Sequence, residues 1–224
     1  MQQIAIFYHI YAINNWREIF NEQFDKIVAS GLYHAAEKIH VGVIGDLPEI
    51  EDSKISFRRN LTHNSEADTL LALWQYCQAN PQARVLYFHC KGVSHYEQKN
   101  GVWKIKDGLT VDSWRRYLDY VVLEQWQHCV NKLDLYDCAA TEWLDHTLYD
   151  GKNNFDPHYS GNFWWARASY VAKLDPRLLY GSNYTQCEKW ISTGSPTHYS
   201  LWSSGRNCYY DKIQDHEYRT ISLK

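Results

Sequence analysis

Ile4-Ala5-Ile6-Phe7-Tyr8-His9-Ile10-Tyr11 is an unbroken apolar run of β-branched and aromatic residues, and it reads as a buried strand. Just downstream, Trp16, Ile19, Phe20, Phe24, Ile27 and Val28 recur at helical spacing and form one apolar stripe. Asn14 or Asn15 is available as its N-cap, and Gly31 is placed to end it. A second strand-like run follows at Ile39-His40-Val41-Gly42-Val43-Ile44, closed by Gly45-Asp46. Strand, helix and strand at this spacing predict a crossover connection, hence parallel strands and a right-handed turn of the chain.

The pattern continues outward. Ile55 to Phe57 is short but apolar enough for a third strand. Ser65-Glu66-Ala67-Asp68 has the form of a capping box, opening a helix with Leu70, Leu73, Trp74 and Cys77 on its apolar face. Pro81 stops that helix, and Arg84-Val85-Leu86-Tyr87-Phe88 reads as a central buried strand. The second half differs. A polar loop over 94–108 leads to a long helix from about Asp112, striped by Trp114, Leu118, Val121, Val122, Trp126, Cys129 and Leu133. Strands are expected at Cys138 to Thr141 and at Gly161 to Ala166, the second leading to a short helix before Asp175-Pro176. With no repeat, low-complexity segment or linker, the expected fold is α/β, one Rossmann-like domain over 1–224 with a mixed, mostly parallel sheet flanked by helices.

Composition excludes more than it names. The chain of 224 residues carries 23 Lys+Arg against 26 Asp+Glu, a net charge of −3, which offers no electrostatic reason to expect nucleic acid. No stretch of 18 or more apolar residues is present to span a membrane. The six cysteines never form a CxxC pair, and the first residues lack the form of a signal peptide, so reduced thiols and a cytoplasmic setting are expected. The aromatics are uneven, with 10 Trp and 18 Tyr against 7 Phe. Rings with a polar end need partners for it, whether in a core or along a binding surface.

Ligands of open α/β sheets bind beyond the carboxyl ends of the strands. Here those ends carry His9 to Tyr11, Gly45-Asp46 and His89-Cys90-Lys91-Gly92. A lysine and a glycine after a buried strand suit an anion held close to backbone. The other reading is a capping His89 and a solvated Lys91. GxGxxG, GxxxxGK[ST] and GxSxG are all absent, which leaves no dinucleotide fingerprint, P-loop or nucleophile elbow. His34 and His40 lack a third ligand at useful spacing for zinc. In His158-Tyr159-Ser160-Gly161-Asn162-Phe163-Trp164-Trp165-Ala166-Arg167, adjacent tryptophans on a strand face opposite ways. One could then line a cleft with Asn and Ser beside it, as a sugar requires, or both could be core. Glu188, between Cys187 and Lys189-Trp190, sets a carboxylate among aromatics.

Taken in order, these motifs resemble small glycosyltransferases of the GT-A type, the nucleotide-sugar-dependent enzymes of bacterial and viral glycan assembly. The resemblance covers nearly the whole chain. It rests on His9 in the opening strand, Ser30-Gly31-Leu32-Tyr33, Tyr87 to Ser94, and above all Tyr159-Ser160-Gly161-Asn162-Phe163-Trp164-Trp165 followed by Glu188-Lys189-Trp190. It implies a nucleotide-sugar-binding half over 1–94 and an acceptor half over 95–224. It also implies transfer of a hexose from a nucleotide-sugar, a UDP-sugar by expectation, to a glycan or lipid-linked glycan. Inversion by single displacement is expected. Glu188 is the implied catalytic base, with Asp156 and Asp145 in reserve. His9, Tyr11, Asn64, Glu66, His89, Lys91 and Gly92 would face the donor. Tyr159, Ser160, Gly161, Asn162, Trp164 and Trp165 would face the sugar or acceptor. Where the family has Asp-x-Asp to carry a divalent ion, this chain has His89-Cys90-Lys91. Lys91 can supply the charge that manganese or magnesium otherwise brings, or His89 can serve as a lone metal ligand, so metal dependence stays open and no metal site is assigned. A carbohydrate-binding protein without turnover, or a degenerate transferase, are the competing expectations.

Overall fold

The computed structural model describes residues 3–48, 50–61, 66–145, 156–180 and 185–221. The opening run forms strand β1 (Ile4–Tyr11), followed by α1 (Trp16–Ala29), a single turn α2 (Leu32–Ala35), β2 (Lys38–Ile44) and β3 (Ile55–Arg59). Helix α3 (Ala67–Ala79) then leads to β4 (Arg84–His89). Gly31 lies in the left-handed region with φ 78°, as expected for a residue ending a helix. Neither asparagine caps α1 through its side chain, although Asn15 holds the N-cap position. Ser65 of the expected capping box lies outside the described residues; within them, Glu66 occupies the cap of α3 without a side-chain cap bond.

The supposed polar loop after β4 contains a hairpin, β5 (Tyr96–Lys99) and β6 (Val102–Ile105). Asn100 and Gly101 form its two-residue turn, both with positive φ, 54° and 77°. Asn-Gly is the strongest short hairpin signal, so the sequence carried this element openly. The long helix is interrupted. It divides into α4 (Val111–Asp119) and α5 (Trp126–Lys132), joined by a π-helical turn at Tyr120–Glu124. Then follow β7 (Cys138–Ala140), β8 (Trp143–Leu144), β9 (His158–Tyr159), β10 (Trp164–Arg167), α6 (Ala168–Val171), α7 (Gln186–Lys189), β11 (His198–Ser200) and α8 (Asp215–Arg219).

Seven strands form one twisted α/β sheet in the order β3-β2-β1-β4-β10-β7-β11, parallel except for β10. Strand order reverses between β1 and β4, whose ends align with His9 opposite His89. The carboxyl ends of β1, β4 and β7 and the amino end of β10 therefore share one edge. Helices α1, α4 and α5 cover one face of the sheet, and α3 and α6 the other.

That double cover corrects one expectation. Trp164 and Trp165 do point to opposite faces, as the pleat requires, but both are completely buried. Trp165 donates its indole N–H to the Val122 carbonyl under the π-helical turn, at 2.9 Å. Trp164 packs at 5.3 Å from the Tyr87 ring and donates to Asn162 Oδ1 at 2.8 Å. Tyr159 and Trp190 are equally buried, their polar ends held by the carbonyls of Tyr199 and Asp175. None of these rings is exposed to a cleft, and for Trp164 and Trp165 the reason is that β10 is an inner strand with a layer on each side.

A polar cluster ties α1 to α4 behind β1. Asp119 is fully buried and accepts from Gln23 at 2.7 Å, Lys26 at 2.9 Å and Arg115 at 3.1 Å. Arg115 reaches Glu22 at 2.7 Å, and Gln23 accepts from the Tyr8 hydroxyl at 2.7 Å. Partial burial pushes the Glu22 carboxyl up, but the Arg115 bond and charge, with Lys26, outweigh it and hold it at about 2. Because the folded value lies below the ordinary 4.5, its contribution to stability is complete above about pH 4.5 and disappears toward pH 2. Melting temperatures should therefore fall more steeply across that window than in Glu22→Gln. Parallel curves for the two proteins would rule this out.

Candidate functional site

At the edge where β1, β4 and β7 end, β4 runs into Cys90-Lys91-Gly92. The Cys90 amide donates back to the His9 carbonyl at 3.1 Å, which locks the two strand ends together. Gly92 then turns the chain with φ 92°. A main cleft of about 560 Å³ opens here, within the size usual for ligand pockets. Its lining includes Glu66, His89, Lys91, Asn162, Glu188 and Tyr209. A smaller pocket of about 150 Å³, over the reversal between β1 and β4, shares Glu66, His89, Gly92 and Ser94 with it and adds His9 and Tyr11. A side cleft of about 240 Å³ shares Glu188 and Tyr209 and adds Trp114, Glu142, His158, Ser160 and Arg206. The three form one branched depression, with Glu188 at the fork.

Among the described residues, Lys91 is the lysine or arginine that lines the main cleft. Only 8% exposed, it holds its ammonium 3.7 Å from the centre of the Trp114 ring and 5.9 Å from that of Tyr209. Among the described residues Lys91 has no carboxylate within ion-pair distance. Burial lowers the Lys91 pKa, while the carboxylates of Glu188 and Glu66 partly oppose the shift. An aromatic cradle of this kind desolvates the charge and leaves it for an anion to neutralise. Trp114 itself is 2% exposed, and its indole nitrogen is buried without a partner among the described residues.

Two histidines stand neutral at the strand ends. Burial, then the neighbouring Lys91, lowers His89 to about 3, although its bond to Gly161 and the charge of Glu188 favour protonation. Its Nε2–H donates to the Gly161 carbonyl at 2.9 Å, so the approach of Glu66 at 3.8 Å is not an ion pair. His9, lowered by burial to about 4, shares a hydrogen bond of 3.0 Å with the Thr69 hydroxyl. It shapes the wall and is itself only 4% exposed.

Glu66 and Glu188 are positioned by the turn before β10. Asn162, with φ 58°, donates to Glu66 Oε2 at 2.6 Å, and the Tyr87 hydroxyl donates to the same oxygen at 2.7 Å. The Gly161 amide donates to Glu188 Oε1 at 2.7 Å. Gly161 has φ 92°, and a Cβ there would lie 2.7 Å from Leu118, 3.1 Å from Trp114 and 3.2 Å from Lys91. The Ser160-Gly161-Asn162 turn thus has to be this small and this twisted to bring the carboxylate of α7 beside Lys91.

Of the residues expected to face a donor, Glu66, His89, Lys91 and Gly92 line the main cleft, and His9 and Tyr11 the pocket beside it. Asn64 lies outside the described residues. Of the acceptor set, Asn162 lines the main cleft and Ser160 the side cleft, and Gly161 acts through its backbone. Tyr159, Trp164 and Trp165 are core residues. Asp156 pairs with Lys189 at 3.1 Å, and neither it nor Asp145 is among the residues lining the depression. Among the described residues no group of three or more His, Cys, Asp or Glu side chains is placed to hold a metal ion.

Sequence reasoning missed Trp114, Glu142, Tyr209 and Tyr210. Trp114 lies on a helix stripe and reads as plain core. Tyr209 and Tyr210 belong to a tail without periodicity. Glu142 did have a signal, since it lies two residues past the carboxyl end of β7.

Fold and geometry together define an α/β protein whose main cleft lies at the carboxyl edge of a mostly parallel sheet. The chain belongs to the family described as Domain of unknown function (DUF8361), which matches residues 7–212. No curated protein matches it. Among solved structures it is similar to 2-C-methyl-D-erythritol 4-phosphate cytidylyltransferase from Thermus thermophilus, at 10% identity over 97% of this chain and 95% of that one, with a TM-score of 0.41. It is similar also to the Francisella tularensis enzyme of the same name, at 11% identity over 96% of each chain, with a TM-score of 0.43. No helix among the described residues is long and apolar enough to cross a membrane.

Proposed function

We propose that this protein is a nucleotide-sugar-dependent glycosyltransferase that binds its donor in the main cleft and its acceptor in the side cleft. The observation that carries this reading is the fork itself. One carboxylate, Glu188, borders both clefts, and the buried ammonium of Lys91 lies across from it in the main one. In the reaction, Glu188 takes the proton of an acceptor hydroxyl and the freed oxygen attacks the anomeric carbon of the hexose. The bond from that carbon to the donor diphosphate breaks, and Lys91 meets the negative charge of the departing group. A single displacement of this kind inverts the anomeric centre. The donor is taken to be a UDP-sugar and the acceptor a glycan or lipid-linked glycan. Tyr209 and Tyr210, 39% and 64% exposed at the rim, supply the ring faces that the buried tryptophans cannot.

A panel of nucleotide-sugars, with and without EDTA, tests this by release of nucleoside diphosphate. Absence of both turnover and binding at millimolar donor would end it. The EDTA arm shows whether a divalent ion takes part. Lys91→Met keeps an apolar stem over Trp114 but removes the charge. It should weaken UDP binding roughly 10- to 100-fold, as loss of a charge-assisted contact does, read by calorimetric titration. A carbohydrate-binding protein without turnover would show sugar binding indifferent to UDP and to Lys91→Met.

A further inference from the structure

Glu142, like Glu66, is a carboxylate of the depression that the proposed chemistry does not use, and its setting is unusual. It is 1% exposed, and its backbone takes φ 54°, a left-handed conformation that a non-glycine residue adopts only under constraint. Two separate pieces of chain converge on it, one at Ser160 and one at Trp202 and Ser204. Its carbonyl accepts from the Ser160 amide at 2.9 Å, one residue from the Gly161 amide that holds Glu188. Its amide donates to the Trp202 carbonyl at 3.1 Å. Its carboxyl Oε1 accepts from the Ser204 amide at 2.6 Å.

The segment over 202–210 that it grips forms a strap across both clefts. Arg206, Asn207 and Cys208 line the side cleft, Tyr209 both clefts, and Tyr210 the main one. The far end of the strap docks on α4, where the Thr110 amide donates to the Tyr209 carbonyl at 2.8 Å. Burial raises the Glu142 pKa, against the Ser204 bonds and the nearby Arg206 and Tyr117. A buried carboxyl kept at such cost needs a role that an apolar side chain could not fill.

The structure assigns Glu142 as a positioning residue: it latches the strap against the Ser160-Gly161 turn, so that Tyr209 and Glu188 keep a fixed separation across the fork. This goes beyond the reading of the site as a transferase. Only its effect on nucleotide binding rests on that reading.

The test is amide hydrogen exchange on the full chain without ligand, read at Thr110, whose amide reports docking of the strap. Glu142→Gln keeps an acceptor oxygen for the Ser204 amide, whereas Glu142→Ala removes it. Ser204→Pro deletes the amide donor with Glu142 left in place, and Ser204→Ala deletes only the hydroxyl. Loss of one buried bond to a carboxyl should speed Thr110 exchange roughly 10- to 100-fold in Glu142→Ala and Ser204→Pro. Amides of β4 should stay protected, and Glu142→Gln and Ser204→Ala should resemble the unaltered protein. UDP affinity should fall in the same two variants and be restored in Glu142→Gln. Unchanged Thr110 exchange in Ser204→Pro overturns the assignment, as does a Glu142→Gln variant that behaves like alanine. If Glu142→Ala fails to fold, Ser204→Pro decides alone. If UDP does not bind the unaltered protein, the transferase reading fails while the Thr110 result still judges the latch.

Discussion

Glu188→Gln should lower glycosyl transfer by roughly 10²- to 10⁴-fold, the range supplied by a positioned general base. The substitution is nearly isosteric, and its amide oxygen can still accept from the Gly161 amide, so the turn before β10 should hold its shape. Donor binding should then survive, because the main cleft keeps Lys91, His89 and Glu66. The expected signature is therefore a loss in kcat with UDP affinity preserved. Turnover retained near the original rate would remove Glu188 from the mechanism. Loss of UDP binding together with turnover would mean that the residue shapes the donor site instead.

The second large effect is expected at Asp119, which is not among the residues lining the clefts. Its carboxylate is fully buried and accepts from Gln23, Lys26 and Arg115 at 2.7, 2.9 and 3.1 Å. Asp119→Ala leaves the guanidinium of Arg115, 2% exposed, with Glu22 as its remaining partner. Breaking a buried pair from one side costs about 3–5 kcal/mol, since a charge stays in the interior without its counterpart. For a chain of this size that corresponds to a fall of roughly 6–20 °C in Tm. Thermal unfolding followed by circular dichroism measures it, and a change below about 1 kcal/mol would show that Lys26 and Glu22 can rearrange to compensate. The ion pairs at the surface, such as Arg177 with Asp175, should matter far less when broken.

Much of the fold was legible because its signals are local. The periodicities of β1, α1, β2, α3 and β4 lie within single windows of sequence, and the βαβ order leaves few topologies. The hairpin of β5 and β6 was also there to be read, in Asn100-Gly101 between two strand-like runs. The π-helical turn was not, because its apolar stripe continues through Tyr120–Glu124 without a breaking residue.

Of the residues lining the main cleft, the strand-end rule marked His89, Lys91 and Gly92, and the resemblance marked Glu188. The aromatic assignments ran the other way. Tyr159, Trp164 and Trp165 were expected to face a sugar and are core, whereas Trp114, which lies on a helical stripe, cradles Lys91.

The sequence by itself determined the α/β class, the crossover of the first half and which residues stand at the ends of the strands. Each of these follows from the character of neighbouring residues, which short-range sterics and burial translate directly into structure. Only the tertiary structure decided which rings meet solvent, since that depends on whether the second face of β10 is covered. It also decided the cage around Lys91 and the latch at Glu142. Their parts, at 91, 114 and 209 and at 142, 160 and 204, are separated along the chain and meet only where the sheet edge gathers them. The excess of Trp and Tyr over Phe takes its meaning from the same source. Indole and phenol groups let an inner strand, two helical layers and a cleft floor be packed with rings whose polar ends find backbone carbonyls or side-chain acceptors, whereas the buried indole nitrogen of Trp114 finds none among the described residues.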